Sequence, residues 1–442
     1  MSPTSAANID IAAALAEAEE RYRARHPQSL ALHHAAAAVM PGGNTRSSLF
    51  VEPFPLAMTK GEGAHLWDAD GHEYVDFLSE FTAGLYGHSH PVIRRAIEEA
   101  LGLGLNFGAH NRLEAQFAEA LCARFPSLDL VRFTNSGTEA NLMALSAARA
   151  ITGRAKILVF SGGYHGGVFY FRGKGNPINA PFDFLVGRYN DLGHVEALVA
   201  PHRADLAAII IEPMLGGGGC IPAERGFLAG LRRLADEAGA VLIFDEVMTS
   251  RLAPGGLQEA HGILPDLTTL GKYLGGGMSF GAFGGRAPLM ERFDPRRADA
   301  LQHAGTFNNN VLTMAAGLAG LTQVYTPERA RALNAWGDGL IGRLNAVARR
   351  HGLGMQFTGR GSMFSVHMTA APIRSAEDAG EGEPRLRDLF YFDLVERGIW
   401  FAKRGMFALS IALDEADGDR LLAAAEEFAE TRAPLFARPA AA

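Results

Sequence analysis

Short apolar runs alternate with helical stretches through the middle of the chain. Lys156–Phe160, Ala207–Ile211 and Val241–Phe244 are continuous, largely apolar segments of strand length. Such runs are typical of parallel strands that are buried on both faces. Between the last two, Gly226–Ala238 carries apolar residues at helical spacing. The alternation predicts βαβ units and therefore a mainly parallel sheet covered by helices.

The segment before this region has a different pattern. Asp10–Arg25 has the spacing of an amphipathic helix with an exposed charged face, and Gly42–Phe54 is a loop rich in glycine, proline and polar residues. Ala64–Trp67 and Glu73–Phe77 flank a turn signal and predict a hairpin. Pro91–Leu101 begins with a proline, which is well placed in the first turn of a helix.

The segment after it predicts a second, smaller unit. Thr326–Arg349 reads as one long helical region, and the chain from about Thr358 mixes strand-like and helical pieces. A chain of 442 residues is longer than one hydrophobic core usually serves. We therefore expect a large domain over residues 76–325 and a small α+β domain formed by residues 1–75 and 326–442.

Composition narrows the class of protein. The net charge of −7 argues against a general binder of nucleic acid or anionic membranes. No apolar run approaches the ~18 residues of a membrane span, and Met1–His26 lacks the pattern of a signal peptide. Cys122 and Cys220 fit no metal or redox spacing. The expected location is the cytoplasm. Glycine, with 52 residues, is nearly twice as frequent as usual and concentrates in the loops described next.

Acidic residues stand where two of the predicted strands end. Glu212 follows Ala207–Ile211, and Asp245 follows Val241–Phe244. Ligands of open α/β sheets bind at the carboxyl ends of the strands, so both carboxylates could face a ligand. The alternative for either residue is a solvated loop acid or a helix N-cap.

A small, hydroxyl-rich segment precedes a predicted helix. Thr134–Asn141 offers serine, glycine and threonine at a helix N-terminus, where free backbone N–H groups and the helix dipole favour a phosphate. A plain N-cap with a capping box is the alternative.

Lys272 is the third candidate. It lies among apolar residues and glycines, and burial would lower the pKa of its amine enough for it to act as a nucleophile. A surface lysine is the alternative. The spacing of a P-loop is absent, since Tyr273 stands where serine or threonine is required.

Three further features carry less weight. Gly277–Gly281 matches the hydrolase pattern G-x-S-x-G, but no strand precedes the serine as that mechanism requires. His88 and His90 lack a third metal ligand and are expected to make structural hydrogen bonds. Tyr164, soon after Lys156–Phe160, could stack on a planar cofactor ring.

Together these residues supply what pyridoxal phosphate needs: an amine for an imine, an acid for the pyridinium nitrogen, a phosphate cup and a stacking ring. The sequence resembles the class III aminotransferases of PLP fold type I over about Gly42 to Ser410. The resemblance rests on four motifs in order, Ser136–Ala140, Tyr164–Gly166, Asp245–Thr249 and Thr269–Lys272. It implies an aspartate aminotransferase-like α/β fold, with a mainly parallel seven-stranded sheet in the large domain.

The resemblance also implies roles around the cofactor ring. Lys272 would bond to the cofactor and move the proton during catalysis. Asp245 would keep the pyridine nitrogen protonated. Tyr164 would stack on one face of the ring and Val247 on the other, while Glu212 would order the hydrogen bonds nearby.

The phosphate would be held by Ser136, Gly137 and Thr138. Thr306 resembles the threonine that reaches the phosphate of the neighbouring subunit in this family. The resemblance therefore implies a homodimer with shared active sites.

Two branches of the family are the nearest in sequence. Asp245–Thr249 and Pro265–Arg286 resemble the branch that contains glutamate-1-semialdehyde 2,1-aminomutase, but Ser279-Phe280 replaces its Pro-Val pair. The segments Asp245–Pro254 and Gly305–Asn310 are similar to those of the β-phenylalanine aminotransferases. The expected reaction is ping-pong transfer of an amino group from a β-amino acid to 2-oxoglutarate or a similar keto acid.

Both substrates carry carboxylates, for which arginine is the natural partner. By resemblance, Arg46 would bind the β-amino acid carboxylate, and Arg404 that of 2-oxoglutarate or glutamate. The alternatives are the aminomutase and a non-catalytic binding protein of PLP fold, and the intact Lys272 and Asp245 argue against the second.

Overall fold

A computed structural model describes residues 10–173 and 175–436. Residues 1–9, which include part of the segment examined for a signal peptide, lie outside the described residues. None of the helices within the described ranges is long and apolar enough to cross a membrane. The α-helices are α1 Ile11–Arg25, α2 Pro27–Ala37, α3 Pro91–Leu101, α4 Arg112–Arg124, α5 Gly137–Thr152, α6 Leu192–Val199, α7 Arg225–Ala238, α8 Gly256–His261, α9 Ala287–Met290, α10 Val311–Ala319, α11 Pro327–Arg350, α12 Ala376–Ala379, α13 Pro384–Glu396 and α14 Glu415–Phe436.

The strands form two larger sheets and two small ones. They are β1 Met58–Glu62, β2 His65–Asp68, β3 Glu73–Asp76, β4 Leu130–Thr134, β5 Lys156–Phe160, β6 Asp183–Gly187, β7 Leu206–Ile211, β8 Met214–Leu215, β9 Ile221–Pro222, β10 Val241–Asp245, β11 Leu267–Gly271, β12 Gly281–Gly285, β13 Gln356–Arg360, β14 Met363–His367, β15 Ile399–Trp400 and β16 Met406–Ala408.

The central sheet has seven strands in the order β4-β12-β11-β10-β7-β5-β6. The pairs from β11 through β10, β7 and β5 to β6 are parallel, and only β12 runs antiparallel to its two neighbours. The predicted fold class, an α/β protein with a mainly parallel seven-stranded sheet, is therefore confirmed.

Helices on both faces explain the apolar runs of the central strands β7 and β10. Ile209, Ile211 and Leu242 pack with residues of α7 in one cluster. Ile210 and Ile243, which alternate with them along the strands, pack with residues of α5 in another cluster. Because successive side chains point to opposite faces, burial on both sides favours apolar residues at successive positions of these strands.

The two ends of the chain meet in a second sheet. The predicted hairpin is present as β2 and β3, which pair antiparallel, and β15 pairs parallel with β3. A three-stranded sheet, β13-β14-β16, lies beside it in the C-terminal part. This pairing joins segments before residue 76 and after residue 325, as the expected two-part small domain requires. The domain boundaries themselves stay a prediction.

Candidate active site

The carboxyl ends of strands β4, β7, β10 and β11 of the central sheet open into one cavity of about 970 Å³. Strand β7 is followed by Glu212, β10 ends at Asp245, β11 is followed by Lys272, and β4 leads into the N-terminus of α5. The sequence-predicted residues that line this cavity are Arg46, Ser136, Gly137, Thr138, Tyr164, Glu212, Asp245, Val247 and Lys272. Two other predicted residues, Thr306 and Arg404, do not line this cavity.

Asp245 is almost fully buried, and its carboxylate is held in one orientation. Its Oδ2 accepts hydrogen bonds from Asn141 Nδ2 and from His165 Nδ1, each at 2.8 Å. Its Oδ1 accepts one from the backbone N–H of Val247 at 3.0 Å. The sequence motifs contained Asn141 and His165, but their link to Asp245 is visible only in the fold.

Asn141 is itself oriented by two neighbours. Its Oδ1 accepts a hydrogen bond from Thr269 Oγ1 at 2.7 Å, and its Nδ2 also donates to the backbone oxygen of His165 at 3.0 Å. An amide whose oxygen and nitrogen are both engaged has its flip state fixed. The network leaves the carboxylate of Asp245 free to accept a further, cationic donor from the cavity, because a carboxylate has about four lone-pair positions.

Lys272 stands at the end of β11 in a backbone conformation that only a few per cent of residues other than glycine adopt, with φ of +54°. Within the described residues its amine has no hydrogen-bond or ion-pair partner. Burial lowers the pKa of this amine, and Arg46 and Arg404 lower it further, against the opposing effect of Asp245. A more readily deprotonated amine can act as a nucleophile and as a base.

The N-terminus of α5 has both features that the sequence suggested, a side-chain N-cap and free backbone N–H groups that could bind a phosphate. Ser136 is the N-cap, and its Oγ accepts a hydrogen bond from the backbone N–H of Glu139 at 3.2 Å. Glu139 Oε2 accepts from the backbone N–H of Asn135 at 2.9 Å. Within the described residues, the backbone N–H groups of Gly137 and Thr138 have no protein partner. They are therefore available to an anion in the cavity.

Two glycines near the N-terminus of α5 lie where the opposite walls of the cavity come close together. A Cβ on Gly137 would lie 2.9 Å from the methyl carbons of Val247. A Cβ on Gly166, whose φ is +119°, would lie 2.3 Å from Thr138 Oγ1. The free N–H donors, the hydroxyl of Thr138 and the unpartnered amine of Lys272 fit pyridoxal phosphate.

Glu212 connects the cavity wall to the loop that carries Tyr164. Its Oε1 accepts a hydrogen bond from the backbone N–H of Tyr164 at 2.9 Å, and its Oε2 one from Gly216 at 3.0 Å. Burial raises the pKa of the Glu212 carboxyl to about 7, and Asp245 adds to the effect while His165 opposes it. The side chain of Tyr164 is partly exposed to the cavity and contacts Tyr170 edge-on.

Arg46 and Arg404 both contact the ring of Phe81. The guanidinium carbon lies 5.5 Å from the ring centroid for Arg46 and 5.0 Å for Arg404. Arg46 lines the main cavity and forms an ion pair with Glu80. Arg404 instead borders a separate, smaller cavity beside Gly216–Gly219.

Glu80 was not expected from the sequence. It belongs to a run of four non-glycine residues, Ser79–Thr82, with φ between +45° and +81°. Left-handed backbone costs such residues roughly 1–2 kcal/mol each, and strain of this kind clusters at ligand sites. No propensity in these four residues signals the conformation, so the sequence could not have shown it.

Thr306 is exposed and does not line the cavity of its own chain. It lies on a loop whose neighbours, Gly305 and Asn308, border a different depression together with His303 and Arg132. The position leaves a role toward a second subunit open.

The weaker alternatives are resolved by the structure. Ser279 precedes β12 and follows no strand, so the nucleophile elbow of a hydrolase is absent. His88 Nε2 contacts Asp76 Oδ2 at 3.0 Å, and His90 Nδ1 caps α3 by accepting from the N–H of Val92. Both histidines make the structural hydrogen bonds that were predicted.

Comparisons with known proteins agree with this geometry. Residues 48–413 match the family model described as Aminotransferase class-III. The chain is 54% identical over 415 residues to a beta-phenylalanine transaminase of Variovorax paradoxus, covering 94% of this chain and 95% of the relative. It is 40% identical over 423 residues to a glutamate-1-semialdehyde 2,1-aminomutase of Sorangium cellulosum, covering 91% of this chain and 96% of the relative. The crystal structure of a beta-phenylalanine aminotransferase from Variovorax paradoxus matches with a TM-score of 0.95 at 53% identity, covering 97% of this chain and 100% of that chain.

Proposed function

The chain belongs to the class-III aminotransferase family and is a transaminase that uses pyridoxal 5′-phosphate, and we propose that its amino donor is a β-amino acid. The donor carries an aromatic side chain, as in β-phenylalanine, or an aliphatic one, and the acceptor is 2-oxoglutarate or a similar keto acid. The observation that supports this best is the arrangement of Lys272, Asp245 and Arg46 around one cavity.

Lys272 is the residue that moves the proton. When bound, pyridoxal phosphate takes up the amino group and stabilises the electron pair left when the neighbouring C–H bond breaks. The Lys272 amine, whose pKa is lowered by burial, accepts that proton and returns it at the next position. Its lack of a competing partner among the described residues leaves it free to do so.

Asp245 holds a positive charge at the pyridine nitrogen. Its carboxylate is fixed by Asn141, His165 and the backbone of Val247, so little reorganisation is needed when a cation approaches. His165 and Asn141 act as positioning residues, because they touch the carboxylate and not the reacting atoms. Ser136, Gly137 and Thr138 would hold the phosphate, and Tyr164 and Val247 would lie on the two faces of the ring.

Arg46 binds the carboxylate of the β-amino acid. In the free protein its guanidinium is paired with Glu80 at the wall of the cavity. The incoming carboxylate exchanges with that of Glu80, while the contact with the Phe81 ring keeps the guanidinium in place. Glu80 is therefore an internal competitor for the donor.

Arg404 binds the second carboxylate of the acidic acceptor. No carboxylate among the described residues holds it. Its Nη2 donates to Met406 Sδ at 3.3 Å, and its guanidinium lies over the Phe81 ring. It can therefore change rotamer at little cost, toward the cavity for an acidic substrate and away from it for an aromatic one. Its positive charge lowers the pKa of the Lys272 amine.

The aminomutase is the competing assignment, because one relative at 40% identity carries that name. An aminomutase needs no external acceptor, whereas a transaminase forms glutamate from 2-oxoglutarate. The higher identity to the beta-phenylalanine transaminase, 54%, favours the transaminase.

We place a second copy of the chain against the loop that carries Thr306. Large apolar side chains are exposed by 47–63% on two adjacent segments, and they are Leu101, Leu103, Leu105, Phe107 and Phe307. The segments touch where the N–H of Val311 donates to the oxygen of Leu105 at 3.1 Å. An apolar patch of this kind marks a protein interface, and such a dimer would bring Thr306 to the phosphate of the partner.

The dimer is tested by light scattering and by the variant Thr306→Ala. We expect wild-type mass to be twice that of the chain, and the variant to remain dimeric while binding pyridoxal phosphate more weakly. An active monomer would contradict the shared site. We assign the protein to the cytoplasm because Cys122 and Cys220 are free thiols, which fractionation of the source cells would test.

Two half-reactions test the ping-pong scheme. The cofactor-loaded protein is mixed with β-phenylalanine alone, and its visible absorbance should bleach without any acceptor. Subsequent addition of 2-oxoglutarate should restore the absorbance and release one glutamate per site. Bleaching that requires both substrates together would contradict the scheme.

A further inference from the structure

Arginines border a pair of small cavities outside the main cavity, and the smaller of the two lies beside Gly216–Gly219. Arg172 and Arg387 line both of the small cavities, and Arg404 borders one of them. The larger has a volume of about 230 Å³, several times the ~30 Å³ that one water occupies in the liquid. It is lined by Arg172 and Arg387 but not by Arg404, and it offers room for a small molecule beside two guanidinium groups. The smaller cavity, which Arg404 borders, measures only about 20 Å³.

These arginines lack the partners that guanidinium groups usually have. Among the described residues no carboxylate forms an ion pair with Arg172, Arg387 or Arg404. The Nε atoms of Arg387 and Arg404 are buried and have no hydrogen-bond partner. A buried polar donor without an acceptor costs free energy. An anion that enters the cavity and accepts hydrogen bonds from these groups would remove that cost.

The acidic and titratable residues nearby do not act as acceptors for these guanidinium groups. Glu383, which also lines the larger cavity, is held by Arg385 through bonds of 2.8 and 2.9 Å. Asp388 lies next to Arg387 in sequence but pairs with Lys403 at 3.6 Å. His367 Nε2 donates to the backbone oxygen of Gly219 at 3.0 Å and lies 2.8 Å from Thr358 Oγ1. Burial lowers the pKa of His367 to about 4, so it is neutral near pH 7.

We propose that Arg172 and Arg387 form a binding site for a small oxyanion, either a carboxylate or an inorganic anion such as sulfate or phosphate. The planar fork of a guanidinium matches both kinds of anion and binds them bidentately. The Arg172 side chain is exposed, whereas the Nε of Arg387 is buried and has no hydrogen-bond partner among the described residues. The site does not depend on which amino donor the enzyme uses.

The site is tested by calorimetric titration of the cofactor-loaded, full-length protein. Sulfate is one probe and succinate the other, because neither is a substrate of a transaminase. We expect saturable binding by wild type and at least a tenfold higher Kd in Arg172→Gln and in Arg387→Gln, since one charge-assisted contact is worth about this factor. Equal affinity for both probes would identify a general oxyanion site, and tighter binding of succinate a site for dicarboxylates.

Two controls separate this site from others. Arg23→Gln removes the same charge from an exposed position of α1 and should leave the Kd unchanged. Arg46→Gln reports on binding in the main cavity. If Arg387→Gln does not fold, Arg172→Gln decides, because its side chain is exposed. The proposal is overturned if wild type shows no saturable binding, if Arg172→Gln matches wild type, or if Arg46→Gln alone abolishes binding.

Discussion

Replacing Glu80 with glutamine should make the enzyme bind its donor more tightly. The variant keeps the size of the side chain and removes only the charge that now occupies Arg46. It adds no backbone strain, because glutamine and glutamate differ little in their tolerance of the left-handed φ of +47° at this position. The guanidinium retains its contact with the Phe81 ring.

The size of the effect follows from the exposure of the pair. The side chains of Arg46 and Glu80 are 43% and 56% exposed, and ion pairs of this kind are worth about 0.2–1 kcal/mol. Removing the competitor should therefore lower the KM for a β-amino acid by about 1.4- to 5-fold. The kcat should change little, because Glu80 contributes to binding and not to proton transfer.

The assay compares KM for β-phenylalanine with KM for 1-phenylethylamine, a donor that lacks the carboxylate. Only the first should fall in Glu80→Gln. Glu98→Gln is the matched control, because Glu98 lines the same cavity but pairs with Arg94 at 2.7 Å. A higher KM for β-phenylalanine in Glu80→Gln would refute the reasoning, since it would mean that Glu80 orients Arg46 for the substrate.

Three further changes test the rest of the site. Lys272→Ala should lose turnover and the visible absorbance of the lysine-bound cofactor, and retained turnover would refute its role. Gly166→Ala should weaken pyridoxal phosphate binding at least tenfold in a cofactor titration, because its Cβ would meet Thr138, whereas Gly167→Ala, with open space around its Cβ, should not. The raised pKa of Glu212, about 7, means that the folded apoprotein binds this proton more tightly than the unfolded chain. The free energy of unfolding of the apoprotein should therefore fall by up to about 3 kcal/mol between about pH 5 and pH 8. Thermal unfolding of Glu212→Gln should lack that part of the pH dependence. Equal pH profiles of the variant and wild type would contradict the raised pKa of Glu212.

Much of the fold could be predicted because burial on both faces leaves a plain signature. Strands β7 and β10 are short apolar runs, and the acidic residues at their ends, Glu212 and Asp245, line the cavity. The number of strands in the sheet came instead from the resemblance to a family, and the order of the strands was not predicted. Periodicity alone does not determine which strands are neighbours, and the antiparallel strand β12 consists of Gly281–Gly285 and carries almost no pattern.

The parts of the site that could not be predicted depend on contacts between distant segments. The ion pair of Arg46 with Glu80 joins residues 34 positions apart, and the left-handed run Ser79–Thr82 is set by its surroundings, not by its residue types. The hydrogen bond from His165 to Asp245 likewise spans 80 positions. The roles of the site residues and the domain boundaries at residues 75 and 325 stay predictions.

The central claim is that this enzyme moves an amino group from a β-amino acid to a keto acid. The most direct measurement incubates the purified, cofactor-loaded protein with β-phenylalanine and 2-oxoglutarate and quantifies glutamate, with glutamate-1-semialdehyde in a parallel reaction without acceptor. The account predicts glutamate that forms in proportion to the β-phenylalanine consumed, and no isomerisation of the semialdehyde. Conversion of the semialdehyde together with an absence of glutamate would contradict it.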